Sequence, residues 1–380
     1  MELELTSDQE FFADTTRKFL EDKAPVTELR ARRDDPVGFD RDYWRQGAEL
    51  GWTSLLVTEE DGGGSISGRG LCDLTLVAHE FGRHAAPGPL LVNNIVAAAL
   101  SRLGTAAQKA DTLPGLLSGE ILATWCFAEP RPHDHLGEVR LEATPKGDRY
   151  ILSGTKQPAE SADQSQVLLV VARTLEGLTQ FIVPSDTAGV GIAPMGGVDL
   201  TRRFSAVSFD GVELPASAVL GEPGGADADV ERQLEQALVI ELAEMVGSMD
   251  KALEITIEWA FNRYSFGRPL ASYQALKHRF ADMKIWLETS HALADEAAAA
   301  VQAESSGAAE LVSAGKAYVG AHGPELLHDC IQMHGGIGVT FDHDLHLYLR
   351  RVVLGAHLYG TVPQHRERLT SILEKRETNR

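Results

Sequence analysis

The chain has 380 residues, 43% of them hydrophobic and 24% charged, with a formal net charge of −20 at pH 7. That length exceeds the roughly 250 to 300 residues that one hydrophobic core organises, so two or three cores are expected. The negative field repels polyanions, which argues against non-specific nucleic-acid binding unless the basic residues cluster, and no run of about 18 apolar residues marks a membrane span.

Cysteine usage and the N-terminus give the setting. Cys72, Cys126 and Cys330 are odd in number and lack metal-ligand spacing, so neither a zinc site nor a disulfide framework is indicated, and a reducing cytosol fits. MELELTSDQEFF has neither a cationic, then apolar, signal pattern nor an Arg-rich transit pattern, and a cytoplasmic protein is expected.

The first predicted helix covers residues 7–21, with Ser7 as N-cap and Phe11, Thr15, Phe19 and Leu20 at helical spacing. A second covers 41–50 and ends at Gly51. After the loop EEDGGGSISG a helical run covers 69–84, and helical character continues to about residue 118, broken into short pieces by Pro87, Pro89 and Pro114. From 121 the pattern changes to short β-type runs, ILATWCFAE, EVRLEATP, RYILSG, SQVLLVVART, TQFIVPS and AVSFDGVEL, each bounded by Gly, Pro or Asp. GEPGGADAD (221–229) reads as a linker. Long amphipathic helices follow, with Leu238, Leu242, Met245, Met249, Leu253 and Ile257 on one stripe and Leu276, Phe280, Met283, Leu287, Ala294 and Val301 on another. The expected class is α+β. An N-terminal all-α domain (1–118) precedes a middle antiparallel β-barrel-like domain (119–225) and a C-terminal four-helix bundle (226–380).

Two segments suggest chemistry. In RYSFGRPLASYQALKHRFADMK (263–284), Phe266-Gly267 turns the chain, Pro269 blocks continuation of the helix, and Gln274 opens the next one. Such a corner is ordinarily a helical connection, but Arg263 beside backbone N–H groups and a helix N-terminus also makes an anion-binding concavity. In QMHGGIGVT (332–340), a glycine pair ends a helix. That is the usual C-cap, and it also permits close approach to a flat or charged group. It does not make a dinucleotide fingerprint, because no strand precedes it.

With TWCFAEP, AELGWTSLLVTEEDGGG and CIQMHGGIGVTFDHDLHLYLRR in the same order, these segments resemble the acyl-CoA dehydrogenase family over essentially the whole chain. The resemblance implies the α–β–α architecture and FAD. It also implies oxidation of an acyl-CoA thioester to the α,β-enoyl form, with a carboxylate base taking the α proton and the flavin taking the β hydrogen. It further implies an assembly in which one subunit holds the flavin ring and its neighbour grips the pyrophosphate and adenosine. Arg263, Ser265, Phe266 and Gln274 match the family's pyrophosphate and adenine contacts, and Gln332, Gly335 and Gly336 match those on the later helix.

The positions facing the ring depart from the family. Where Thr-Glu-Pro and a small Gly-rich turn are usual, this chain has Ala128-Glu129-Pro130 and then Arg131, Pro132 and His133. The usual Trp-Ile-Thr becomes Pro158-Ala159-Glu160, which sets an anion near the flavin. The usual Glu-Gly-Thr turn after an Arg-Asp pair becomes Tyr359-Gly360-Thr361 after Arg350-Arg351, so Tyr359 stands at the base position. Thr361 remains a flavin contact, and Pro363 replaces a glutamine. A neutral phenol is a poor base near pH 7. An alternative base position on the long helix holds Ala237, and Glu241, one turn on, is the candidate that could reach the same cavity. His133, His135, His343, His346 and His357 are read as ordinary polar or core histidines, and no metal is expected.

The favoured expectation is therefore a subunit of a hetero-oligomeric acyl-CoA dehydrogenase. A homologous partner would supply the base and ring pocket, the substrate would be bulky, such as a steroid side chain, and an electron-transfer flavoprotein is a candidate acceptor. The alternatives are a self-sufficient homotetramer, oxidase or monooxygenase with a relocated base such as Glu241, and a non-catalytic flavin- or CoA-binding scaffold.

Overall fold

The computed structural model describes residues 5–30, 35, 37–130 and 139–378. Helices open the chain: α1 (Ser7–Lys23), α2 (Val26–Leu29), α3 (Arg41–Glu49), α4 (Gly70–His84), α5 (Leu90–Leu103) and α6 (Ala106–Leu117). The N-cap of α1 is Thr6 rather than Ser7, because Thr6 and Gln9 close a reciprocal capping box. That places Phe12, Thr16 and Leu20 on the buried face, while Phe11 is 74% exposed. Pro114 does not end a helix. It lies within α6, and the break from α5 falls instead at Gly104–Thr105, where Thr105 and Gln108 form a second capping box.

The middle of the chain forms β1 (Ala123–Cys126), β2 (Glu142–Lys146), β3 (Arg149–Glu160), β4 (Val167–Arg173), β5 (Leu178–Pro184), β6 (Val190–Met195), β7 (Phe204–Pro215) and β8 (Val219–Leu220). The path β6-β7-β3-β2-β4-β5-β8 is open, with β1 attached to β4. Most pairings are antiparallel, but β1 and β2 both run parallel to β4, so the sheet is mixed. The β6 segment VGIAPM carries too weak a pattern to stand out in the sequence. Strand β4 shows why the run VLLVVA is apolar throughout: Leu168, Val170 and Ala172 enter the sheet's own core, whereas Leu169 and Val171 face the helices.

The helices after the sheet are α7 (Asp227–Asn262), α8 (Gln274–Gln302), α9 (Ala308–His334), α10 (Leu345–Gly355) and α11 (Val362–Thr378). A short hairpin of β9 (Tyr264–Ser265) and β10 (Arg268–Pro269) joins α7 to α8. Helix α7 packs against α4 and α5 on one side and against α8, α9 and α10 on the other, so most of its residues from Val230 to Met249 are buried whatever their face. That burial includes Glu241 and Glu244, charges that a core tolerates only when they are paired. Among the described residues, no helix is long and apolar enough to cross a membrane.

Candidate cofactor and active site

A cavity of about 370 Å³ opens where six elements meet. The exit of β1 supplies Phe127 to Pro130, the end of β3 supplies Gln157, Pro158 and Glu160, and β6 and β7 supply Met195 and Phe204. The first turns of α7 supply Leu234, and the α10–α11 turn supplies His357 to Thr361 and Gln364. Its wall is a column of rings, with Phe127 stacked on Trp125 at 4.7 Å between centroids and Trp125 stacked on Tyr359 at 5.8 Å. The residues expected at the flavin ring, Ala128, Glu160, Tyr359 and Thr361, are thus brought together. Arg131, Pro132, His133 and His135 lie outside the described residues.

Glu160 is not the free anion the sequence suggests. The Nε and Nη2 of Arg202 donate to its two oxygens at 2.8 and 2.7 Å, while Nη1 donates to both oxygens of Glu241 at 3.0 and 2.9 Å. Arg202, Glu160 and Glu241 are all buried. A second guanidinium, Arg351, donates to Asp199 at 2.9 Å and to Glu244 at 3.4 Å, with Thr201 and the carbonyl of Ala86 as further acceptors. Lys316 caps the cluster by donating to the carbonyls of Gly355 and Leu358, and burial pulls its ammonium down to about 8. Burial drives the Glu244 carboxyl up to about 7 against the pull of Arg202 and Arg351, with Glu241 and Glu160 pushing the same way as burial. In Asp199 the attraction of Arg351 and the Thr201 N–H outweighs burial, and its carboxyl is held low.

Glu241 therefore has both oxygens committed to Arg202 and does not line the cavity. Tyr359 does line it, in a left-handed backbone conformation (φ 54°) that leads into Gly360. Its phenol is raised well above the ordinary value, first by burial and then by Glu160, so the group is a neutral hydroxyl at any working pH. The Thr361 hydroxyl and N–H both donate to Gln364 Oε1, at 2.9 and 2.7 Å, an arrangement that starts α11. Glu129 receives the buried Lys156 ammonium at 2.8 Å and the N–H groups of Arg140 and Leu141. These outweigh burial and hold its carboxyl low, and they pin the β1 exit to β3.

The remaining predicted contacts lie at the opposite end of the bundle. Phe266 (φ 51°) and Gly267 (φ 81°) form the tight turn of the β9–β10 hairpin, with Phe266 97% exposed. The Arg263 guanidinium sits 5.7 Å from the Trp259 ring, and Trp259 in turn stacks on His334 at 5.0 Å, one residue before Gly335. The α7–α8 corner, which carries Arg263, Ser265 and Phe266, and the end of α9, which carries Gly335, are therefore neighbours. Among the described residues Arg263 has no carboxylate partner, and a Cβ placed on Gly335 or Gly336 would meet nothing within 4 Å. A free guanidinium beside an open glycine turn fits a diphosphate. The ring cavity fits a flavin poorly, because Ala128 offers no side-chain donor, the Thr361 hydroxyl is engaged by Gln364, and a buried ion pair lies at the cavity floor.

Sequence reasoning missed Arg202, Arg351 and Lys316. A signal was present: Glu241 and Glu244 interrupt an apolar stretch of α7, and buried acids demand basic partners. His343, His346 and His357 each contact backbone, through Leu345 N, Phe341 O and Val353 O.

Comparison with known proteins agrees with this architecture. The family model described as "Acyl-CoA dehydrogenase, N-terminal domain" matches residues 6–120, and that described as "Acyl-CoA dehydrogenase, C-terminal domain" matches residues 228–372. Acyl-CoA dehydrogenase IpdE2 of Mycobacterium tuberculosis is 28% identical over 365 residues, 96% of each chain. The mitochondrial isobutyryl-CoA dehydrogenase of Dictyostelium discoideum is 27% identical over 365 residues, 94% of this chain and 87% of that one. Among solved structures, the Tcur3481-Tcur3483 steroid ACAD superposes with a TM-score of 0.87 at 28% identity, covering 97% of this chain and 98% of the other.

Proposed function

The chain belongs to the acyl-CoA dehydrogenase family, and from that premise we propose that it is the subunit without a catalytic base in a heterotetrameric FAD enzyme. That enzyme introduces the α,β double bond into an acyl-CoA thioester. The observation that carries the reading is the contrast between the two ends of the molecule. At the cavity, the position of the base is a neutral phenol, and the nearby carboxylates Glu160 and Glu241 are tied to Arg202. At the far end of the bundle, Arg263, Gln274 and the Gly335-Gly336 turn remain open.

Distance makes these two ends parts of different sites. Leu234, at the cavity, and Arg263 are separated along α7 by about 43 Å at 1.5 Å per residue, longer than an extended dinucleotide. One chain could not hold both ends of the same FAD. Here Arg263 would pair with the pyrophosphate, Gln274 and Gln332 would meet the nucleotide, and Gly335-Gly336 would let it approach the backbone. When bound, FAD supplies the acceptor for the β hydrogen, and the base comes from the homologous partner. The steroid ACAD above, whose name couples two components, supports a paired assembly and a bulky acyl group for this chain as well. An electron-transfer flavoprotein would then take the electrons. A self-sufficient enzyme based on Glu241 is disfavoured, because freeing that carboxylate would strand Arg202 in the core.

Purification of the chain alone and together with its homologous partner tests the proposal. The expected result is one FAD per unlike pair and activity only in the complex. Stoichiometric flavin with full turnover in the lone chain would overturn it.

A further inference from the structure

Away from both of these regions, three helices bring a pair of histidines onto one carboxylate. His79 on α4 and His291 on α8 each place Nε2 2.8 Å from Oδ2 of Asp250 on α7. The three ligand atoms lie within 4.8 Å of one another, and this is the His/Cys/Asp/Glu grouping of that kind found among the described residues. The imidazole rings stand 5.7 Å apart with their planes 44° to each other, aimed at a common point rather than stacked. Beside them opens a cavity of about 300 Å³, lined by both histidines and by Asp295, one turn beyond His291 on the same helix.

The helices are held in place at this spot by backbone contact. A Cβ on Gly82 would meet the carbonyl oxygen of Glu244 at 1.9 Å, and one on Gly247 would meet the carbonyl oxygen of His79 at 2.0 Å. Helices α4 and α7 thus touch where neither has a side chain, which fixes their separation. His79 lies three residues before Gly82 and Asp250 three residues after Gly247, so the contact sets the two ligands face to face. On the other side of its ring, His79 Nδ1 points toward Glu80 at 3.9 Å, and Glu80 is itself held by Arg17 at 3.0 Å. A carboxylate behind a histidine is the usual outer partner of a metal-bound imidazole.

We propose that His79, Asp250 and His291 form a binding site for a divalent transition-metal ion such as Zn²⁺, with the fourth position open to water or Asp295. Two imidazoles and a carboxylate suit zinc better than the hard all-oxygen ions. A tetrahedral ion about 2.0 to 2.2 Å from each ligand separates them by roughly 3.3 to 3.6 Å, so each histidine would move about half an ångström or a little more from Asp250 relative to its present 2.8 Å. The ion would tie α4, from the N-terminal helices, to α7 and α8 of the bundle.

Titration of the chelator-treated full chain with Zn²⁺, followed by calorimetry, tests the site without reference to flavin or partner. The expected result is one ion bound per chain, with Co²⁺ in its place giving the visible absorption of a four-coordinate centre and Zn²⁺ raising the melting temperature. His79→Gln and His291→Gln retain a side-chain donor to Asp250, so the packing should survive. Each should weaken binding by more than the roughly 100-fold that loss of an outer partner brings. His328→Gln, at an exposed position, should leave it unchanged. Absence of saturable 1:1 binding in the parent chain, or binding in both ligand variants as tight as in the parent, would show a purely hydrogen-bonded cluster and overturn the proposal.

Discussion

Arg202 grips both oxygens of Glu160 through two parallel N–H donors, and with its remaining nitrogen it holds Glu241 on α7. A planar guanidinium can make this fork and a lysine cannot. The pair links the sheet to the bundle directly beneath the cavity.

Replacing Arg202 by Met leaves Glu160 and Glu241 buried without a counter-charge. Loss of stability of about 3 to 5 kcal/mol is expected by denaturant unfolding, and most of it should return when Glu160→Gln and Glu241→Gln are added. An Arg202→Met protein as stable as the parent would show that the network contributes nothing to the fold.

Tyr359→Phe removes the only acidic proton at the family's base position. Because burial holds that phenol neutral, turnover of the proposed two-subunit complex should stay within about twofold and its pH profile should not move. A large drop in kcat would restore Tyr359 as a proton carrier.

Arg263 is exposed, with its guanidinium 5.7 Å from the Trp259 ring, so Arg263→Ala should change stability by less than about 0.5 kcal/mol. Loss of a charge-assisted contact to the pyrophosphate should nevertheless cost about 1.5 to 3 kcal/mol in flavin affinity, read from the flavin absorbance of the purified complex. Full flavin retention would remove this surface from the cofactor site.

Glu244 gives stability an unusual pH slope. Burial, its largest influence, lifts the folded carboxyl to about 7, whereas the unfolded one titrates near 4.5. The folded state therefore binds the extra proton between these values. Its contribution is complete below about pH 4.5 and is lost as pH rises through about 7, at most about 3 kcal/mol. Asp199, held low mainly by Arg351, acts oppositely: its contribution is present above its unfolded value and lost on acidification. Stability should peak in mildly acidic solution, and Glu244→Gln should flatten the fall toward neutral pH. An unchanged slope in that variant would assign it to other groups.

Much of the fold could be read from periodicity. The stripe from Leu238 to Leu253 is buried as its 3.6-residue spacing requires, and the run VLLVVA forms a strand covered on both faces. Errors came where local chemistry allows neighbouring solutions. Thr6 and Ser7 both suit an N-cap, and only the reciprocal bond to Gln9 decides between them. Pro114 could have ended α6, yet its neighbours hold the last turn in place. Ile257 belongs to the apolar stripe but is 39% exposed, because α7 is leaving the core at that point.

The chain's own order of residues settled the α–β–α plan and the family, and it singled out Arg263, the Gly335-Gly336 turn and Tyr359 as positions of interest, since each is a local pattern or a matched segment. The tertiary structure alone decided that Glu160 is neutralised by Arg202, that Glu241 is sealed behind it, and that His79, Asp250 and His291 converge. Those relations join residues on separate strands, loops and helices, and their sequence spacing follows no period. They arise because a buried charge must find its opposite wherever packing brings one within reach.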